Sequence, residues 1–144
     1  MKRAFEGEAW HGPSLTETLK GVTAEQAAAR PVAGAHSIWE IVLHVSAWQK
    51  AVRTRVGGEK VEAPDQGDWP TARATSPSDW EKTLTELEHG YKELRETIAR
   101  LSDFDLEKNP PGSENSIYIQ LHGTIQHNLY HAGQIAVLKK AITK

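Results

Sequence analysis

Apolar residues recur along this chain at helical spacing in several stretches, and nowhere do they alternate over a length that would make a half-buried strand. The first stretch is short. Pro13 stands where a helix start tolerates proline, Leu15 and Leu19 mark its apolar side, and Gly21 stops it. Thr23-Ala-Glu-Gln26 has capping-box spacing and predicts a small extra helix ended by Pro31. A long second helix is predicted from about Ser37 to Val56, with Ile38, Ile41, Val45, Trp48 and Val52 on its core side and Gly57-Gly58 closing it.

Between residues 57 and 77 the pattern breaks into paired glycines, Pro64, Gly67, Pro70 and Pro77. That is long for a connection inside a compact domain. A crossover explains it: about twenty extended residues reach the full length of a bundle, so the helices on either side can run parallel. The third helix is predicted over about Ser78 to Leu101, with Trp80, Leu84, Leu87, Tyr91, Leu94 and Ile98 inward. Asn109-Pro-Pro-Gly112 marks a turn, and a fourth helix follows from about Ser116 to Ala141, carrying Ile117, Leu121, Ile125, Ala132, Ile135 and Leu138. The fold class is therefore all-α, a four-helix bundle in a single domain over residues 1–144.

Composition narrows the chemistry. The 144 residues are 38% hydrophobic and 25% charged, an ordinary globular balance. Cysteine is absent, which removes disulfides, thiolate metal sites and a cysteine nucleophile together. A metal held here needs histidine, carboxylate or water. Net charge is −2 with the signs interleaved, so no basic stripe offers itself to nucleic acid. Lys50, Arg53 and Arg55 suit a helix C-terminus instead. No leader-like or membrane-length apolar run occurs, and the expected address is the cytoplasm.

Seven histidines remain to be placed. His127 and His131, four apart in QHNLYHAGQI, share one helix face at a spacing that can clamp a metal. If helices two and four are antiparallel, His44 lies about 20 Å from their common end, and His127 and His131 lie about 16 and 22 Å from it. All three fall at one height. His44 also shares its face with Ile41 and Trp48, so it points into the bundle. A metal site requires this arrangement, and three hydrogen-bonded core histidines are the alternative.

HSIWEIVLHVSAW, the long crossover and the C-terminal QHNLYHAGQIAVLKK together resemble the DinB-like (DinB/YfiT) superfamily of metal-binding four-helix proteins. The resemblance covers nearly the whole chain. It implies an up-down-down-up bundle with a long crossover between helices two and three, in which His44, His127 and His131 match the family's three ligands to one divalent metal. Zinc or nickel comes first, with iron or manganese as alternatives. It also implies a homodimer, and a spread of functions: thiol-S-transferases that activate a low-molecular-weight thiol, metal-dependent hydrolases, and members without an assigned reaction.

Three imidazoles leave a coordination position open, the arrangement of catalytic rather than structural sites. The expected function is therefore activation of a thiol or water nucleophile on a small-molecule substrate, with a non-catalytic metal-binding or stress-response domain, or a hydrolase, as the alternative. Four further residues are candidates for the surroundings. Glu40, one turn before His44, and Gln134, three residues after His131, are placed to orient the ligands, or else are simply polar edges. His11 falls near the height of the metal if the first two helices are antiparallel, and Trp48 lines the same cavity or belongs to the core. No residue stands out as a general base.

Overall fold

The computed structural model of the chain describes residues 1–143. They form seven helices, α1 Lys2–Glu6, α2 Leu15–Leu19, α3 Ala24–Ala28, α4 Ile38–Val56, α5 Pro77–Ile98, α6 Asp103–Leu106 and α7 Ile117–Ile142, and no strand. The fold class is all-α.

Helix starts follow the local sequence closely. Ser14, Thr23, Ser37, Ser76 and Ser102 each accept a backbone N–H at the third helical position, and Glu17, Gln26, Glu40, Asp79 and Asp105 reach back to the cap's own N–H. Each such cap is worth about 1 kcal/mol of helix stability. Pro77 occupies the first turn of α5, where its missing N–H costs nothing. At the end of α4 the turn is made by Gly58, whose φ of 98° lies in the left-handed region. Two short helices, α1 and α6, have too few periodic positions to register as a pattern. The first predicted stretch is also shorter than expected, five residues from Leu15, because Ser14 and not Pro13 sets its start.

Contacts fix the directions of the long helices. Near the start of α4 the Trp39 indole N–H donates to Thr83 Oγ1 at 3.1 Å, and near its end Arg53 pairs with Glu93. Position advances along α4 and α5 together, so the two run parallel, as the crossover requires. Against α7 the order reverses: His44 meets His127 and His131, while Val52 and Val56 pack with Ile117 and Leu121. These two are antiparallel.

The small helices cover the remaining flank. Phe5 of α1 stacks on Tyr91, ring centroids 3.7 Å apart. The Lys139 ammonium of α7 donates to the Thr18 and Lys20 carbonyls, which the end of α2 would otherwise leave without partners. The main core gathers Leu15, Ala27, Ile38, Trp39, Val42, Val45, Leu87 and Ile135. Leu84 and Ile98, expected inward, are only half-buried.

The crossover is irregular but tied down. Arg55 donates to the Val61 and Glu62 carbonyls, Lys50 pairs with Asp65 at 2.9 Å, and Trp69 packs against the main core. The segment thereby passes over the middle of α4, where His44 lies.

Candidate metal centre

His44 comes from the middle of α4, and His127 and His131 from successive turns of α7. His44 and His131 are buried and His127 half-buried. His44 Nε2 stands 2.8 Å from His127 Nε2, and His131 Nε2 stands 3.1 Å from the same atom. The ligand atoms of all three lie within 4.8 Å of one another, a grouping able to hold a metal ion.

The outer ring nitrogens decide which atoms are free to ligate. His44 Nδ1–H donates to the Asp68 backbone carbonyl. His131 Nδ1–H donates to Gln134 Oε1 at 2.6 Å. A neutral imidazole carries one proton, so both Nε2 atoms present lone pairs toward His127 Nε2. That nitrogen has at most one proton to give. At least one of the two short contacts then sets lone pair against lone pair, a repulsion that a cation between them removes. Nitrogens bound to one tetrahedral zinc stand about 3.3 Å apart, close to the spacings found. The residues fit a divalent ion.

Electrostatics agree with neutral rings. Burial, then the neighbouring His131 and His44, push His127 down to about 4, with Asp68 opposing. Burial also lowers His131, against the Gln134 hydrogen bond that raises it. Desolvation that disfavours the imidazolium keeps the lone pairs available to a metal.

Comparison with known proteins bears on the same residues. The family model of the DinB superfamily matches residues 9–135, which include all three histidines. The chain belongs to the DinB superfamily. No curated protein and no solved structure matches it. In this DinB-superfamily chain, as in any fold that hosts many chemistries, membership identifies the scaffold and leaves the reaction to the site.

The other candidate residues divide. Gln134 meets His131 directly. Trp48 borders the cluster: its indole N–H donates to Asp68 Oδ1 at 2.7 Å, and its ring lies edge-on to His44 at 6.5 Å. Glu40 is turned away. Its carboxylate serves the Ser37 amide, His36 and Arg30 at the start of α4, because the capping box holds it there. His11 is exposed in the loop before α2 and is not part of the cluster. α2, five residues from Leu15, is also shorter than the helix on which the height argument for His11 was built.

Asp68 and Trp69 were not anticipated. Trp69 stacks on His44 with centroids 4.0 Å apart and, on its other face, on His36 at 3.6 Å. A lone aromatic in the polar 57–77 segment was the available signal, since a tryptophan gains most by packing against the body of the fold. Tyr130 adds an edge-on contact to His131 at 5.1 Å.

Proposed function

We propose that the protein binds one divalent metal ion through His44, His127 and His131 and uses it to activate a thiol or water nucleophile against a small-molecule substrate, a reaction of the thiol-S-transferase type. The observation that carries this reading is the convergence of three Nε2 atoms, two of them with their Nδ1 protons already committed elsewhere. The bundle is the up-down-down-up one, with α1–α3 standing in for a long first helix.

Bound there, the ion would supply Lewis acidity, lowering the pKa of a coordinated water or thiol or polarising a carbonyl. The chain's own residues do the rest. Asp68 and Gln134 hold His44 and His131 in the tautomer that ligates, and Trp69 fixes the plane of His44. Three protein ligands leave a coordination position for the reacting group.

Elemental analysis of protein purified without a metal-affinity tag tests the first half. One equivalent of zinc, nickel, iron or manganese is expected, and a metal-free protein that takes up none on dialysis would refute it. A thiol-conjugation screen of the loaded protein tests the second, and ester or amide hydrolysis without thiol consumption would make it a hydrolase. Removal of a catalytic ion should leave a folded bundle, whereas loss of a structural one should unfold it.

A further inference from the structure

Three of the molecule's cavities differ in kind. One of about 430 Å³ between α4 and α5 is lined by Lys50, Arg53, Asp65, Glu86 and Glu93 and does not reach His44, His127 or His131. One of about 170 Å³ touches His127 but falls below the size of ordinary ligand sites. The third, about 670 Å³, reaches His131 and Trp69 and lies within the usual range of about 300–1,000 Å³.

This third cavity has no Asp, Glu, Lys or Arg in its lining. Its walls are Val32, Ile41, Trp69, Tyr130, Val137 and Leu138, and its polar groups are His36, His131 and Gln134. Val32, Tyr130 and Val137 are among the exposed large hydrophobic residues, 43%, 65% and 63% accessible, so the cavity leaves apolar surface in water. A bound apolar molecule would remove it at about 25 cal/mol per Å².

Gly133 makes the same point from the backbone. It lies within α7, where glycine costs about 1 kcal/mol relative to alanine. A Cβ there would meet nothing within 4 Å, so no close packing demands glycine. What the missing side chain leaves is space, in a cavity that Gly133 itself lines.

We infer that this cavity is the substrate subsite beside the metal centre and that it takes a neutral, ring-bearing small molecule with one hydrogen-bond acceptor. Tyr130, about two-thirds exposed, leaves ring surface that suits a ring on the ligand, while Trp69, stacked between His44 and His36, presents its edge. Gln134 gives its oxygen to His131 and retains two N–H donors for an acceptor on the ligand. An anionic group would lose its hydration among these apolar walls, where the lining offers no Lys or Arg, and would be drawn instead to the metal edge of the cavity at His131. In the thiol-transfer reading this is the place of the electrophilic partner. The inference rests on the metal reading only for where the reacting atoms lie, because the apolar, uncharged lining is there without the ion.

The test is calorimetric titration of the zinc-incubated protein with 2-naphthol and with 2-naphthalenesulfonate, whose anion coordinates metals poorly. Bound zinc is measured on the same sample. The naphthol should bind with one-to-one stoichiometry, and the sulfonate roughly tenfold or more weakly. Gly133→Leu, which fills the space, and Val137→Asp, which charges an exposed rim position, should each weaken naphthol binding roughly tenfold while leaving helicity and zinc content unchanged. Equal binding of naphthol and sulfonate, or full binding by both variants, overturns the inference. So does sedimentation showing that Gly133→Leu converts a dimer to monomer, since a second copy would then fill the cavity. Zinc content without naphthol binding sinks this inference and spares the metal reading, and naphthol binding without zinc does the reverse.

Discussion

Trp69 lies almost flat against His44, their ring planes 10° apart, although one belongs to the irregular crossover and the other to the middle of α4. The crossover thereby does more than connect parallel helices: with the adjacent Asp68 carbonyl it sets both the plane and the tautomer of a ring in the candidate metal centre.

Removing that wall should be felt at the metal. Trp69→Ala is expected to lower zinc affinity about 10- to 100-fold, the usual effect of losing support behind a ligand, while far-ultraviolet circular dichroism stays that of a folded helical protein. Chelator competition measures it. Affinity equal to wild type would mean that Asp68 alone suffices.

Gln134 should act in the same way through His131. Gln134→Leu removes the acceptor of the Nδ1 proton and is expected to weaken zinc binding about tenfold. Gln134→Glu, which keeps the acceptor, should restore it.

Alanine at His44, His127 or His131 should each abolish stoichiometric binding. His122→Ala and His89→Ala should leave it intact, because both rings are exposed and outside the cluster. Atomic emission on dialysed proteins distinguishes the two sets, and zinc retained by the triple variant at wild-type stoichiometry would defeat the metal reading.

Acid should weaken the start of α4 through Glu40. Burial raises this carboxyl, but the Ser37 amide, Arg30 and His36 outweigh it and hold the group below its ordinary 4.5. The unfolded chain therefore takes up the proton first as pH falls. The contribution to stability is complete above pH 4.5 and is lost as pH drops below it through the depressed folded value. Urea midpoints between pH 6 and 3 should fall for wild type and flatten for Glu40→Gln over that window.

The outer face of α7 is the expected contact between two copies. From Ile117 to Leu138 the helix carries no Asp, Glu, Lys or Arg, and Tyr118 and Ile119 are more than half exposed. Apolar side chains left exposed on an uncharged helix face are surface that a second copy can cover. Analytical ultracentrifugation should give a dimer at micromolar concentration, and Ile119→Lys should give a monomer. A monomeric wild type would remove the dimer.

Much of this was legible in one dimension. Helical periodicity and Ser or Thr caps set α4, α5 and α7 to within three residues, because capping and the 3.6-residue repeat act over a few neighbours. The length of the 57–77 segment implied parallel α4 and α5, and Trp39–Thr83 and Arg53–Glu93 bear that out. Equal height along antiparallel helices brought His44 together with His127 and His131, because a fixed rise of about 1.5 Å per residue turns sequence distance into position.

What surrounds those histidines was decided only in three dimensions. Glu40 sits one turn from His44, yet its capping role, Arg30 and His36 hold it elsewhere, and sequence spacing cannot rank competing partners. His11 depended on the length of a helix that ended after five residues. Trp69 and Asp68 lie in a segment without periodicity, where no repeat links position in the chain to position in space. Their placement comes from what the crossover meets as it spans the bundle. The sequence by itself determined the helices and the grouping of the three histidines, since both rest on local regularities. The tertiary structure decided the wall of Trp69, the Asp68 partner of His44 and the uncharged cavity beside the histidines, because each joins segments that only packing brings together.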